Sequence, residues 1–200
     1  MYNTIAKEHY SNLTTFTVPW EFQIVDDFLS SDIIKVIDLK RFEESKYKIL
    51  DSVRYLNNPR YKKIINLSKN YIFIEQLKEI LQSKLSSIWN NNFFIYSELV
   101  RCDPYYKYNL HKDHHLKKYS IVIYLFDETG DGTTLLDKKN QYKIMWKNNR
   151  ALIFNNDKHG YHLYYNSFNK FRYTLNIAFT QEKDITFRTL KNANSNRKSV

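Results

Sequence analysis

Seven short runs of β-branched and aromatic residues, separated by polar turns, fill the second half of the sequence and constrain its fold most strongly. The runs are FFIYSELV, YSIVIYLF, TTLL, YKIMW, RALIF, YHLYY and RYTLNIAF, all between residues 93 and 179. Closely spaced runs of this kind are typical of the strands of antiparallel sandwiches and jelly rolls. We therefore predict a mainly β fold, a double-stranded β-helix of the cupin-like jelly-roll type with about eight strands.

Helical periodicity dominates the first half instead. Polar residues at 30–32 can cap a helix before an apolar-periodic segment, which predicts a helix over 31–43. A second helix is predicted over 72–89, because its apolar residues recur at spacings of three and four. The members of that stripe are Ile74, Leu77, Leu81, Leu85 and Ile88. Both helices should pack on one sheet, so that the fold class is α+β with flanking helices.

The length of 200 residues and the 42% hydrophobic content suit one sizeable core. We expect one domain over 1–182, in which a helix-rich support (1–90) precedes the β-helix core (91–182). Residues 183–200 contain five Lys or Arg and one Asp, and they predict a basic, flexible tail. The single cysteine, Cys102, excludes a disulfide framework within the chain and a zinc site built from several cysteines.

The N-terminal residues lack the apolar run of a secretory signal, and no run approaches the roughly 18 apolar residues of a membrane span. We therefore expect a cytoplasmic protein with no membrane partner. The net charge of +10 leaves two interpretations open: a solvated basic surface with its tail, or attraction to an anionic substrate. A nucleic-acid-binding module is one alternative, since the 17 tyrosines beside lysines suit base stacking. Tyrosines spread this evenly are more typical of sheets.

Histidines cluster in the β-rich half, where five of the six fall within about fifty positions that also include Asp113. In a strand, residues two apart point to the same face, so His111 and Asp113 can bind one metal ion together. A distant histidine would complete a group of two histidines and one carboxylate, the ligand set of non-haem iron(II) oxygenases. His159 is the predicted third ligand, because it follows the strand RALIF and precedes Gly160. His162 is the alternative; for His114, His115 and His162 we expect ordinary packing or surface positions.

Arg172 opens the last strand, RYTLNIAF. Alternation places Arg172, Thr174, Asn176 and Ala178 on one face and large apolar residues on the other. If the polar face looks into the barrel, an arginine there needs an anionic partner, because a buried unpaired charge is costly. Arg172 and Thr174 are therefore predicted to bind a carboxylate; the alternative is that this face is solvated.

The chain resembles the prolyl-4-hydroxylase-like branch of the 2-oxoglutarate and iron(II)-dependent oxygenases. The segments that carry the resemblance are PWEFQIVDDFLSSDIIKVI, LVRCDPYYKYNLHKDHH, YSIVIYLFDETGDGTTL, RALIFNNDKHGYH and RYTLNIAF. Gly130 and Gly132, on either side of Asp131, depart from the paired glycines that are usual before the middle strand.

The resemblance implies iron(II), with 2-oxoglutarate and O₂ as cosubstrates. It implies that His111, Asp113 and His159 bind iron and that Arg172 and Thr174 bind the far carboxylate of 2-oxoglutarate. Tyr124 would contact the cosubstrate, and Tyr108 matches a similar role more weakly.

The implied reaction is hydroxylation of an unactivated C–H bond with succinate and CO₂ as co-products. Asp113 favours hydroxylation over halogenation, since its carboxylate leaves no site for chloride. A peptidyl or free amino acid, such as proline or lysine, is the favoured substrate. A non-catalytic cupin-like binding domain is the alternative, but it would not need Arg172 and Thr174.

Overall fold

Two β-sheets make up most of the part of the chain that the computed structural model describes, residues 3–5, 9–37, 54–55, 62–67, 71–89, 92–126, 131–156 and 160–181. The elements in chain order are β1 Asn3–Ile5, β2 Thr14–Phe16, β3 Phe22–Val25, α1 Ser31–Val36, β4 Arg54–Tyr55, β5 Lys62–Asn66, α2 Tyr71–Lys84, β6 Phe94–Cys102, β7 Lys107–His111, β8 Lys117–Leu125, β9 Asp131–Leu136, β10 Gln141–Met145, β11 Ala151–Asn155, β12 Tyr161–Tyr165 and β13 Arg172–Thr180.

The larger sheet has the strand order β2-β3-β11-β8-β13-β6-β5-β4, and the smaller has the order β1-β10-β9-β12-β7. All pairings are antiparallel except that of β1 with β10. The seven strands predicted from the sequence are all present, and β6 to β13 form the expected core of about eight. The predicted fold class, a jelly roll of mainly β structure with flanking helices, is confirmed.

The helices are shorter than predicted. Helix α1 spans Ser31–Val36, and its N-cap Ser30 accepts a hydrogen bond from the Ile33 amide; residues 38–43 of the predicted helix lie outside the described residues. Helix α2 spans Tyr71–Lys84 rather than 72–89. Residues beyond Lys84 continue as turns, in which the Trp89 amide donates to the Leu85 carbonyl. None of the described helices is both long and apolar enough to cross a bilayer.

Alternation along β13 separates the apolar core from the space between the sheets. Leu175, Ile177 and Phe179 belong to one buried cluster with Leu77 and Leu81 of α2, so this face of the larger sheet packs on the helix. The other face carries Arg172, Thr174, Asn176 and Ala178, all of which line a cavity between the sheets. The predicted alternation is therefore confirmed, with the polar face inside. The basic tail predicted over 183–200 lies outside the described residues.

Candidate metal and anion site

The cavity between the two sheets has a volume of about 180 Å³ and is lined by side chains of both. Three of these side chains, His111, Asp113 and His162, place one potential ligand atom each within 4.8 Å of one another. Their elements explain the convergence, because β7 and β12 are antiparallel neighbours in which His111 and His162 are directly paired. Asp113 follows β7 in the connection to β8, since the strand ends at His111 rather than continuing through both residues as the sequence suggested.

Backbone carbonyls orient both imidazoles. Nδ1 of His162 lies 2.7 Å from the carbonyl oxygen of Gly160, and Nδ1 of His111 lies 2.9 Å from that of Asn109. A carbonyl can only accept, so each Nδ1 carries the proton and each Nε2 presents its lone pair. Gly160, whose φ of +77° favours glycine, thus supplies the carbonyl that orients His162.

Hydrogen bonds also hold the carboxylate of Asp113. The Ser120 hydroxyl donates to Oδ2 at 2.5 Å, and the Asn156 amide donates to the Ser120 oxygen at 2.8 Å. Nζ of Lys117 lies 3.4 Å from Oδ1. Burial raises the pKa of Asp113, but the charges of Lys117 and the histidines and the Ser120 hydrogen bond outweigh it and hold this pKa well below its usual range. Asp113 is therefore a carboxylate at neutral pH.

Burial lowers the pKa of His162 despite the opposing effect of Asp113. At neutral pH its imidazole is therefore uncharged, which is the form that binds metals. Two imidazoles and a carboxylate form the donor set that a divalent transition metal prefers.

Two histidines are candidates for the distal ligand, the third ligand that is distant in the chain from His111 and Asp113. His159, the predicted third ligand, lies outside the described residues. His162, the alternative, joins His111 and Asp113 and is only 6% exposed. His114 lines the cavity and stacks near His115, with ring centroids 4.2 Å apart, but neither belongs to the group of potential ligands.

Arg172 lies about six residues along β13 from the level of Ser120, which is paired with Ala178. The arginine and the three potential metal ligands nevertheless line the same cavity, because their side chains extend toward one another from different strands. The guanidinium is 2% exposed and lies 4.1 Å from the ring centroid of Tyr164 and 5.2 Å from that of Trp146. Among the described residues, Nε and Nη2 of Arg172 have no hydrogen-bond partner.

A second fully buried arginine, Arg150, has the kind of carboxylate partner that Arg172 does not have among the described residues. Nε and Nη2 of Arg150 donate to the two carboxylate oxygens of Asp26 at 2.6 and 3.0 Å. Burial raises the pKa of Asp26, but these bonds and those from Tyr10 and Lys147 lower it to about 2, so the pair is ionised. Arg172 lacks such a carboxylate within the described chain. Because leaving buried donors unpaired is costly, its surroundings fit an anionic ligand.

Of the remaining predicted residues, Thr174 and Tyr108 line the cavity, whereas Tyr124 does not. Thr174 is buried and lines the cavity two residues from Arg172. Tyr108 also lines the cavity, stacks on Tyr164 at 5.3 Å and contacts His111 edge-on at 4.3 Å. Burial, reinforced by the charge of Asp113, raises the pKa of Tyr108 to about 12, so its hydroxyl remains a donor.

Tyr124 does not line the cavity. Its hydroxyl accepts a hydrogen bond from the Thr133 amide at 2.8 Å, and its ring stacks on Trp146 at 4.6 Å. The ring centroid lies 5.7 Å from the Arg172 guanidinium, so Tyr124 forms part of the wall behind the arginine. Gly132 permits this packing, since a Cβ there would lie 2.9 Å from the Tyr124 hydroxyl and 2.1 Å from the Ile144 carbonyl.

Sequence reasoning did not identify Tyr164, Ser120 or Asn156. Tyr164 stands two residues after His162 in β12, and both are buried whereas Tyr161 and Tyr165 are exposed. That alternation is seen only in the folded strand, because both faces of β12 mix aromatic and polar residues. Ser120 and Asn156 had no signal in the sequence either, because each acts through a contact made only in the folded chain.

No family model and no curated protein matches the sequence. Solved structures are similar in fold. A prolyl hydroxylase from Trichoplax adhaerens, in complex with a peptide fragment of the hypoxia inducible factor oxygen degradation domain, has a TM-score of 0.58 at 16% identity, over 80% of this chain and 83% of that one. The viral collagen prolyl hydroxylase of Paramecium Bursaria Chlorella virus-1, in its 2OG complex, has a TM-score of 0.56 at 16% identity, over 81% and 96%.

HygX from Streptomyces hygroscopicus, with nickel and 2-oxoglutarate bound, has a TM-score of 0.58 at 10% identity, over 85% of this chain and 89% of that one. At these identities the likeness establishes the fold. It confirms the double-stranded β-helix and agrees with the resemblance to prolyl-4-hydroxylase-like oxygenases noted from the sequence.

Proposed function

We propose that this protein is an iron(II)- and 2-oxoglutarate-dependent oxygenase that hydroxylates an unactivated C–H bond. The observation that carries the proposal is the buried guanidinium of Arg172, whose Nε and Nη2 lack partners among the described residues, in the same cavity as His111, Asp113 and His162. A metal-binding barrel without a cosubstrate would not need a buried cation there. Similar folds that contain 2-oxoglutarate, one of them with nickel, support the pairing of the two features.

The metal would be held by Nε2 of His111, Nε2 of His162 and the Asp113 carboxylate. Two histidines and one carboxylate leave other positions on an iron ion open for cosubstrate and oxygen. This assignment takes His162 in place of His159 as the distal ligand. When bound, iron would supply the oxidising chemistry by which 2-oxoglutarate, O₂ and R–H yield succinate, CO₂ and R–OH.

The chain's own residues would bind and orient the cosubstrate. Arg172 can donate two parallel hydrogen bonds to the far carboxylate, and Thr174 can donate a third. Tyr164 covers the arginine and excludes water from it, Tyr108 stacks on Tyr164, and Tyr124 supports the far side of the arginine. The substrate that we propose is a peptidyl or free amino acid.

The test of this function begins with an anaerobic titration of the purified protein with iron(II) and 2-oxoglutarate, followed by admission of O₂ and measurement of succinate. We expect saturable binding of 2-oxoglutarate that depends on the metal, and succinate release that candidate substrates increase. Metal binding without any effect of 2-oxoglutarate would contradict the proposal and favour the cupin-like binding domain.

Ser120→Ala should weaken metal binding by about 10- to 100-fold, the usual cost of removing a group that orients a ligand. The substitution removes the hydroxyl that donates to Asp113 at 2.5 Å, but it leaves the three ligands in place. Calorimetric titration with nickel(II) measures the change. Ser97→Ala is the matched control, since Ser97 is equally buried and pairs with Ile177, on the helix-facing side of β13. Equal affinities of the two variants would contradict the role of Ser120.

A further inference from the structure

The turn between β7 and β8 places two hydrogen-bond donors beside the metal-binding group. His114 and Lys117 are the first and last residues of this turn, since the Lys117 amide donates to the His114 carbonyl at 2.9 Å. The Cα atoms of such a pair lie within about 7 Å of each other. Both side chains line the cavity. Asp113 immediately precedes His114 and lies 3.4 Å from the Lys117 ammonium, so the turn is next to a metal ligand in space as well as in sequence.

The imidazole of His114 has a donor without an acceptor. Its Nδ1 accepts a hydrogen bond from the Leu116 amide at 3.2 Å, so the ring proton is on Nε2. Among the described residues, the buried Nε2 has no hydrogen-bond partner. The ring packs against that of His115, with centroids 4.2 Å apart, which helps to fix its orientation. Because a buried donor without an acceptor is costly, the surroundings of His114 fit a ligand that accepts a hydrogen bond.

The ammonium group of Lys117 has further donors. In the described part of the chain its hydrogen-bond partner is Oδ1 of Asp113 at 3.4 Å, whereas an ammonium group carries three N–H donors. A divalent metal bound to Asp113 would share the charge of that carboxylate and leave the ammonium less compensated. The Lys117 side chain is 23% exposed, so a ligand can reach it. Its charge and spare donors fit an anionic group.

The acidic part of the cavity lining lies away from this turn. Among the described residues, Glu98 is the one acidic residue of the lining besides Asp113, and it accepts a hydrogen bond from the Tyr96 hydroxyl at 2.7 Å. Glu98 belongs to β6, which is separated from β8 by β13, or by roughly 10 Å across the sheet. The side of the cavity at the turn therefore combines a cation with a neutral donor.

We propose that Nε2 of His114 and Nζ of Lys117 form a subsite for a carboxylate group of the substrate. One carboxylate oxygen would accept from the imidazole and the other from the ammonium group. The subsite rests on the proposed oxygenase function, since its ligand is the substrate rather than the cosubstrate, which Arg172 would hold. A free amino acid would present its α-carboxylate, and a peptide would present an aspartate or glutamate side chain. The net charge of +10 would favour the encounter with such a substrate.

The experiment compares ligands that differ only in the carboxylate. Binding to the nickel(II)-loaded protein is measured calorimetrically at a saturating concentration of 2-oxoglutarate, which keeps the test ligands from Arg172. The two pairs are acetyl-Ala-Glu-Ala-amide with its glutamine analogue, and acetyl-norleucine with acetyl-norleucine amide. We expect the carboxylate member of at least one pair to bind about tenfold more tightly or better, as charged hydrogen bonds do. Preference in the first pair identifies a side-chain carboxylate, and preference in the second identifies an α-carboxylate.

Three variants test the two donors separately. Lys117→Gln should remove most of the preference, because it eliminates the charge. His114→Asn should reduce it, since the asparagine oxygen can replace Nδ1 as the acceptor of the Leu116 amide but no donor replaces Nε2. His114→Gln should retain more of it, because its amide nitrogen can take the place of Nε2. Lys139→Gln, at an exposed position, is the control and should change nothing.

Equal or undetectable binding of the charged and neutral members of both pairs in the unmodified protein would overturn the subsite. A preference that survives undiminished in Lys117→Gln or His114→Asn would do the same, and equal losses in His114→Asn and His114→Gln would overturn the donor role of His114. Each variant is compared at a nickel(II) concentration that saturates its own metal site. Binding of 2-oxoglutarate is titrated separately, so its failure concerns the proposed function and not the subsite.

Discussion

Arg172→Glu should abolish detectable succinate release, and Arg172→Lys should raise the KM for 2-oxoglutarate by about 10- to 100-fold. Glutamate would set two carboxylates against each other in a buried site, whereas lysine keeps the charge but loses the two parallel hydrogen bonds. Metal affinity should change little in both variants, because neither substitution touches a ligand. Steady-state kinetics of succinate formation, together with nickel(II) titration, measures the two effects independently.

Lys139→Glu is the control for this comparison, since it makes the same change of charge at an exposed position between β9 and β10. It should leave the KM for 2-oxoglutarate within about twofold, because charges separated by more than about 10 Å are largely screened at physiological salt. Normal succinate production by Arg172→Glu would refute the cosubstrate assignment, and the cupin-like binding domain would then be the better interpretation.

His162→Ala should eliminate turnover and reduce metal affinity by orders of magnitude, whereas His159→Ala should retain both. The reason is that His162 lies with His111 and Asp113 in one group whose ligand atoms are within 4.8 Å of one another. Removing one of three protein ligands leaves too few to hold the ion firmly. Nickel(II) titration and succinate assays of the two variants decide between the histidines.

Asp113→Ala provides the reference for complete loss of the metal site, and circular dichroism of all three variants checks that the fold is retained. The reverse result, loss of metal in His159→Ala with binding retained in His162→Ala, would restore His159 as the distal ligand. The role of Gly160 would then have to be reassigned as well, because its carbonyl orients His162 at 2.7 Å.

Which face of a strand points inward was predictable only where its two faces differ in hydropathy. Strand β13 alternates between small or polar residues and large apolar ones, so its inward face followed from the sequence. Strand β12 does not, because His162 and Tyr164 alternate with Tyr161, Leu163 and Tyr165, and both sets mix aromatic and polar character. Hydropathy therefore could not decide whether His162 points inward, and the choice between two histidines three residues apart stayed open.

The amino-acid sequence by itself determined the architecture: its short β-branched and aromatic runs specify strands, and alternation specifies which side of β13 is polar. It also placed Arg172 on the polar face of that strand, but the need for an anion follows only from the burial that the structure shows. Only the tertiary structure decided which side chains meet. His162 reaches His111 because β7 and β12 pair, and Ser120 reaches Asp113 because the chain returns along β8. Glu98 likewise faces the cavity because β6 lies beside β13. Such contacts depend on strand order and register, which local patterns of residues do not encode.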